Sequence, residues 1–353
     1  VQIGYDFGLK AMIVLMQFGA SEAQIQGVCE AIRAHGLEPL VLPGDRTAVG
    51  IPSAVPTDLR DTLEASIGAL EGVSKVTQVS RPYKLASLEW QRTRTTVEVG
   101  DVPIGPGHFA IMGGPCSVES YDQLSEAAKI VKEAGAKVLR GGAFKPRTSP
   151  YAFQGLAEEG LRIMQQVGKE QGLVTISEVM SGDLVPMVAK YVDILQIGAR
   201  SMQNFPLLIE AGKSGKPVFL KRGPGATIDE FLLAAEYVLN QNNPNVILCE
   251  RGILPLDRSY TRNTLDLAAV PVLKEYSHLP VIVDPSHGTG VARYVTVMSK
   301  AAMVAGADGV MVELHPNPKM ALSDGSQALT PDQFKGLVSE LKNLAPYAGV
   351  SLG

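Results

Sequence analysis

Residues Phe109 to Gly142 read FAIMGGPCSVESYDQLSEAAKIVKEAGAKVLRGG. A short apolar run, FAIM (109–112), breaks at paired glycines. Ser120 then opens an amphipathic stretch to Ala134, and KVL (137–139) begins a second apolar run. Apolar residues in unbroken rather than alternating order imply a strand buried on both faces, as in a parallel sheet. Apolar positions at helical spacing between two such runs imply a connecting helix. The same unit recurs downstream. LVTI (173–176), DILQI (193–197), PVFL (217–220), NVILC (245–249), PVIV (280–283) and GVMV (309–312) are separated by amphipathic segments such as 154–171, 228–239 and 264–276, with 332–344 the last. Eight strand–helix units in roughly 245 residues predict an α/β fold of the (β/α)8 TIM-barrel type over 107–353. A doubly wound open sheet is the alternative, but no G-x-G-x-x-G follows any of the runs.

Upstream the rhythm differs. Met12–Gln17 reads as a strand, and Ser21 caps a helix reaching His35, with Gly36 as its stop. Leu37–Leu42 and Arg46–Ile51 read as strands, Asp58–Leu70 as a helix and Val73–Val79 as a strand. That order, βαββαβ, predicts a small ferredoxin-like domain over 11–80, preceded by a tail (1–10). Residues 81–106 read as a linker, Arg81–Leu85, and a hairpin turning at Gly100-Asp101.

The 353-residue chain is 45% hydrophobic and 19% charged, enough for a sizeable core. Its net charge of −4 argues against nucleic acid as the main partner. Cys29, Cys116 and Cys249 are odd in number and far apart. They form no disulfide framework and suit a reducing cytoplasm. The run Ala11–Phe18 is too short and poorly flanked for a signal peptide, and no segment approaches the roughly 20 apolar residues of a bilayer span. A cytoplasmic protein with no membrane partner is expected.

In such a barrel the site lies at the C-terminal ends of the strands. There the chain places Cys116, Arg140, Glu178, Arg200, Lys221, Glu250-Arg251, Asp284 with His287, and Glu313 followed by His315 and Asp324. The second strand leads into LRGGAFKPRTSP (139–150), whose clustered cations, paired glycines and hydroxyls suit an anionic ligand. Two groups separate by chemistry. Cys116, His287, Glu313 and Asp324 offer a thiolate, an imidazole and two carboxylates, which suit Mn, Fe, Co or Zn better than Mg or Ca. Glu178 and Asp284 are positioned to orient such ligands. The bland alternatives are a core thiol, a satisfied imidazole and surface acids. Arg140, Lys145, Arg147, Arg200, Lys221 and Arg251 form the cationic group, more than one phosphate requires, so two phosphorylated substrates or one multiply charged one are implied.

The motifs GPCSVES (114–120), LRGGAFKPRTSP (139–150), IGARSMQN (197–204), KRG (221–223), ERG (250–252), VDPSHGTG (283–290) and ELHPNPKMALSDG (313–325) resemble the type I-beta 3-deoxy-D-arabino-heptulosonate 7-phosphate synthases. The resemblance implies condensation of phosphoenolpyruvate with erythrose 4-phosphate and water at the entry to aromatic amino-acid synthesis. It implies a divalent metal on Cys116, His287, Glu313 and Asp324. Arg200, Arg251 and the backbone of Ala199 would take the phosphoenolpyruvate phosphate; Arg140, Lys145 and Lys221 would take its carboxylate. Arg147, Thr148 and Ser149 would hold the erythrose phosphate, Glu178 would line the substrate site, and Lys145 would protonate the forming hydroxyl. The N-terminal domain matches the family's regulated members, so tyrosine or phenylalanine is the expected effector, and a homotetramer or homodimer the expected assembly. Departures are Gly288-Thr289 where Ala-Thr is usual, Gly223–Ala226 for Gly-Met-Ser-Ala, Ser326 for Pro, and Gly50–Pro56 in the N-terminal domain. The alternative enzyme, 3-deoxy-D-manno-octulosonate 8-phosphate synthase, normally carries Lys-Ala-Asn-Arg where this chain has Lys145-Pro146-Arg147-Thr148. A Schiff-base aldolase using Lys145 or Lys221 would leave the metal-capable residues without a role.

Overall fold

A computed structural model describes residues 10–42, 47–78, 82–145 and 151–352. The expected tail up to residue 9, Arg81 of the expected linker, and Arg147, Thr148 and Ser149 lie outside the described residues. The chain divides into two compact units, Val1–Thr93 and Arg94–Gly353.

The first unit runs β1 (Lys10–Met16), α1 (Glu22–Ala34), β2 (Leu40–Leu42), β3 (Ala48–Val55), α2 (Thr57–Gly68) and β4 (Val73–Gln78). The strands form an antiparallel sheet in the order β2-β3-β1-β4, the ferredoxin-like arrangement. Ser21 and Gln24 form a capping box that starts α1. Ile25, Val28 and Ile32 of that helix bury against Met12, Val14 and Val49 of the sheet. β3 extends beyond the expected Ile51, through Pro52, to Val55. Two facts reconcile a proline with a strand. β2 pairs with β3 only as far as Gly50, leaving one side of β3 an edge beyond that point. On the other side the pairing with β1 shifts register between Met12↔Ile51 and Lys10↔Val55, a bulge where a missing N–H is tolerated.

The second unit opens with the hairpin β5 (Val97–Val99) and β6 (Val102–Ile104), turning at Gly100 with φ +60°. Then follow β7 (His108–Gly114), α3 (Tyr121–Ala134), β8 (Val138–Arg140), α4 (Ala157–Gln171), β9 (Val174–Val179), α5 (Val185–Tyr191), β10 (Ile194–Ile197) and α6 (Phe205–Lys213). The chain continues with β11 (Val218–Lys221), α7 (Ile228–Leu239), β12 (Val246–Glu250), α8 (Ala269–Tyr276), β13 (Val281–Val283), α9 (Pro285–Thr289), α10 (Ala292–Val304), β14 (Gly309–Glu313), α11 (Pro331–Ala348) and β15 (Ser351–Leu352). β7 to β14 pair in parallel in chain order, and β14 pairs back onto β7, which closes the barrel. The short β15 adds to the other end of β7, a pairing the sequence pattern did not suggest.

The hairpin residues Val97, Val99, Val102 and Ile104 share one buried cluster with Met112, Phe219 and Met311, which point into the barrel. Thr95 N–H bonds to the carbonyl of His278, just before β13. The hairpin is thus the plug of the barrel's N-terminal end, leaving the opposite end open for chemistry. At that opposite end β7 and β8 approach closely: Gly114 has φ +148°, and a Cβ there would lie 2.0 Å from the Arg140 carbonyl oxygen. Gly114→Ala should therefore cost more than about 2 kcal/mol of stability, read as a lowered midpoint in chemical denaturation.

Candidate active site

The strand ends converge on a cavity of about 440 Å³. Of the residues singled out in the sequence, Arg140, Lys145, Glu178, Ala199, Arg200, Lys221, Arg251, His287 and Asp324 line it. Cys116 and Glu313 are buried in contact with lining residues: the thiol meets Lys145 and Asp324, and the Glu313 carboxylate meets Arg140 and His287.

The Cys116 thiol, Glu313 and Asp324 each offer a ligand atom within 4.8 Å of the others. The thiol donates to Asp324 Oδ2 at 3.1 Å, and Lys145 Nζ stands 2.9 Å from Sγ. His287 is not one of that mutually close trio, but its Nε2 lies 3.3 Å from Glu313 Oε1. Its Nδ1 is engaged by Asp284 Oδ2 at 2.7 Å, so Nε2 is the nitrogen left to face the cluster. Barrel geometry brings the three elements together, because β13, β14 and β7 are consecutive around the closed ring.

The electrostatics suit a cation. Burial pushes the Cys116 thiol up to about 11, with the Glu313 carboxylate adding to the rise and Lys145 opposing it. Burial also pushes Glu313 upward, but His287 and Arg140 pull it down further, leaving it below the usual carboxylate range. Asp324 is likewise raised by burial and lowered more by the Cys116 hydrogen bond and by His287, with a net downward shift. A thiol, an imidazole nitrogen and two ionised carboxylates in one enclosed corner form a donor set that fits a borderline divalent metal.

Cations adjoin this corner and line the rest of the cavity. Arg140 is buried; its Nη1 donates to Pro115 O at 2.8 Å and Glu313 Oε1 at 2.9 Å. Its Nε is buried without a partner among the described residues, a donor that an incoming carboxylate would satisfy. Lys221 Nζ pairs with Asp284 Oδ2 at 2.6 Å, so Asp284 links this lysine to His287. Burial would raise Asp284, but His287 and Lys221 hold it well below the ordinary range. Arg251 is only 7% exposed, and burial pulls its pKa down, yet no ion pair reaches it among the described residues. Glu178 accepts a hydrogen bond from Gln196 Nε2 at 3.3 Å and walls the cavity.

Under these cations lies a second network. Arg222 Nη1 bonds Glu250 Oε2 and Asp266 Oδ2, both at 2.9 Å, and Glu250 Oε1 accepts from Gly252 N–H at 2.6 Å. It ties the loops that carry Lys221 and Arg251 to one another. It also explains why the helix expected from Thr264 begins only at Ala269. Thr264 pairs with Ile253, and the Asp266 carboxylate is drawn to Arg222 while capping Ala269 N–H at 3.2 Å. The same returning stretch brings Arg262 and Asn263 to the cavity, which the strand-end reading missed. Arg262 lies 3.7 Å from Asp324 Oδ1, and Asn263 Nδ2 donates to His287 O at 2.9 Å. The available signal was length: 251–268 is a long connection with no helix or strand of its own beyond the Ile253–Thr264 bridge, the usual mark of a functional loop.

Residues 85–348 match the model of the DAHP synthetase I family, and residues 12–81 match the DAHP synthase ferredoxin-like domain. The chain is 47% identical over 342 residues to the phospho-2-dehydro-3-deoxyheptonate aldolase of Thermotoga maritima, spanning 97% of this chain and 100% of that one. The crystal structure of the Thermotoga maritima enzyme superposes with a TM-score of 0.77 at 46% identity, covering 98% of this chain and 100% of that chain. The 2-dehydro-3-deoxyphosphooctonate aldolase of Syntrophobacter fumaroxidans is 32% identical over 265 residues, covering 70% of this chain and 91% of that one.

Proposed function

The chain belongs to the DAHP synthetase I family, and on that premise we propose how its residues divide the labour of the family reaction. The enzyme condenses phosphoenolpyruvate with erythrose 4-phosphate and water, giving 3-deoxy-D-arabino-heptulosonate 7-phosphate and phosphate, the first step of the shikimate pathway. The octulosonate reading is weaker, since those relatives stand near 32% identity and match only 70% of this chain. The observation that carries the proposal is the composition of one cavity: Arg140, Lys145, Arg200, Lys221 and Arg251 line it together with His287 and Asp324, and the buried Cys116 thiol and Glu313 carboxylate stand directly against it.

Arg200, Arg251 and the Ala199 backbone hold the phosphoenolpyruvate phosphate. Arg140, through its spare Nε, and Lys221 and Lys145 hold the carboxylate, so C3 of the enol is presented toward the metal-capable corner. Arg147 and Thr148, with Ser149, hold the erythrose phosphate. Cys116, His287, Glu313 and Asp324 would hold a divalent ion, which would supply Lewis acidity for the aldehyde. C3 bonds to the aldehyde carbon, and Lys145 Nζ gives its proton to the oxygen that becomes the new hydroxyl. Water adds at C2 and gives up one proton, which restores Lys145; the adduct collapses to the ketone as the C2–O bond to phosphate breaks, and its hydroxyl proton leaves with the phosphate. The cations offset the repulsion between two phosphorylated substrates and fix their approach. Asp284 holds His287 and Lys221 in register, because one carboxylate contacts both.

The test is phosphoenolpyruvate consumption with erythrose 4-phosphate against arabinose 5-phosphate, with and without chelator. Erythrose 4-phosphate should be the better substrate by at least about 100-fold in kcat/KM, a gap of about 3 kcal/mol in transition-state binding. Preference for arabinose 5-phosphate would sink the assignment.

We assign residues 11–80 to control by tyrosine or phenylalanine. The described residues that line the barrel cavity all belong to the barrel itself, and an effector acts by binding two states unequally. Removing residues 1 to about 85 should leave an active barrel whose rate no longer changes with either amino acid. Undiminished inhibition of the truncated enzyme would refute this. A homotetramer or homodimer is the proposed assembly, measured by light scattering. The cytoplasm is the proposed compartment, which suits three buried, unpaired cysteines; no described helix is long and apolar enough to cross a membrane.

A further inference from the structure

Three of the four metal-capable residues are placed by the barrel itself. Cys116 follows β7, His287 follows β13, and Glu313 is the last residue of β14. Asp324 has no such support: it lies in the loop between β14 and α11, with φ +50°, a left-handed conformation that non-glycine residues seldom adopt. Something outside the loop must hold it.

Arg262 approaches the Asp324 carboxylate at 3.7 Å from the connection after β12, and further contacts on the stretch leading to Asp324 come from the loop after β7, the one that carries Cys116. Glu119 Oε1 accepts from Leu322 N–H at 2.9 Å, two residues before Asp324. Glu119 Oε2 meets His315 Nε2 at 3.4 Å, near the start of the same loop. His315 Nδ1 accepts from Asn317 N–H at 3.0 Å, which leaves Nε2 to carry the proton toward Glu119. Ser117 Oγ and Ser323 Oγ lie 2.5 Å apart, both buried. One carboxylate therefore holds the loop at its start and again two residues before Asp324, and a hydroxyl pair holds the residue directly before Asp324. Neither Glu119 nor Ser117 lines the substrate cavity.

We propose that Glu119, assisted by Ser117, is a positioning residue that straps the His315–Asp324 loop and thereby sets the affinity of the divalent-metal site. The proposal rests on the metal reading given above. It makes the Gly114–Ser120 segment serve twice, supplying the thiol ligand and fixing the carboxylate ligand 208 residues away in the chain.

The probe is Co²⁺ titrated into metal-free full-length protein against a competing chelator. The thiolate charge-transfer absorption reports whether Cys116 still ligates, and phosphoenolpyruvate affinity is measured alongside. Glu119→Ala should weaken Co²⁺ binding about 10- to 100-fold, the usual cost of losing a residue that orients a ligand, while the thiolate band survives. Glu119→Gln, which keeps an acceptor for Leu322 N–H but loses the His315 contact, should fall between the two. In an Asp324→Ala background the Glu119→Ala loss should vanish, because the strap then has no ligand to place. Ser117→Ala removes one oxygen only; it should give a smaller loss with the same dependence on Asp324, and it carries the test if Glu119→Ala does not fold. Co²⁺ affinity unchanged in Glu119→Ala, or an undiminished loss in the Asp324→Ala background, overturns the strap. Failure of wild-type protein to bind Co²⁺, or indifference to Asp324→Ala alone, overturns the metal reading beneath it instead.

Discussion

Stripping the enzyme of divalent metal is expected to abolish condensation, and adding Mn²⁺ or a similar ion to restore it. The reason lies in the enclosed corner formed by Cys116, Glu313 and Asp324, where two carboxylates stay ionised beside a protonated thiol. Metal must displace the thiol proton, and that thiol is pushed up to about 11. The sign follows: below that pH each unit of acidification adds tenfold competition from protons, so the thiol contributes a rise of about tenfold in metal affinity per pH unit. Glu313 and Asp324, held below the usual range, contribute no slope at neutral pH. Cys116→Ala should weaken binding by at least about 100-fold, more than loss of an orienting group costs, and should remove that pH dependence between pH 7 and 9. Competition titrations at three pH values measure both effects. Full turnover in excess chelator, or a Cys116→Ala variant with native affinity, would show that the corner holds no essential metal.

What the sequence disclosed follows from how far each signal travels along the chain. A strand covered on both faces must be apolar throughout, so the runs around Ile111, Leu248 and Val283 were visible as unbroken words. Polar residues directly after them, such as Arg140, Lys221 and His287, inherited their placement from the barrel and were legible for the same reason. Contacts made by a returning loop leave no local pattern. Arg262 reaches the cavity because the stretch after β12 folds back over α9, where Asn263 N–H bonds the Gly288 carbonyl at 3.1 Å. The helical spacing from Thr264 was real, but the Asp266 side chain satisfies Arg222 instead of continuing the helix. Pro52 discouraged a strand that an edge and a bulge both permit. Glu119 is invisible to any windowed reading, since its partner Leu322 lies 203 positions on. Glu178 shows the converse: a carboxylate at a strand end was legible, but its hydrogen bond from Gln196 was not.

Arg251→Ala should raise the Kd for phosphoenolpyruvate far more than it alters the KM for erythrose 4-phosphate. Among the cations of the cavity, Arg140 already faces Glu313, Lys221 faces Asp284 and Lys145 faces the Cys116 thiol. Arg251 is buried with no ion pair among the described residues, and the cost of that burial shows as a pKa drawn below the ordinary arginine value. A largely buried guanidinium with no ion pair among the described residues is one whose counter-charge arrives with the ligand, and a phosphate matches its forked donors. Truncating one side of a buried charge pair costs about 2–5 kcal/mol, roughly 30- to 5,000-fold in affinity. Arg251→Lys keeps the charge without the fork and should recover part of the loss. Arg147→Ala, at the site proposed for the erythrose phosphate, should do the reverse, raising the KM for the aldehyde with little change in phosphoenolpyruvate binding. Calorimetric titration of phosphoenolpyruvate without aldehyde isolates the first effect, because no turnover can mask it. Equal losses for both substrates in Arg251→Ala would mean that the residue supports the loop rather than the phosphate.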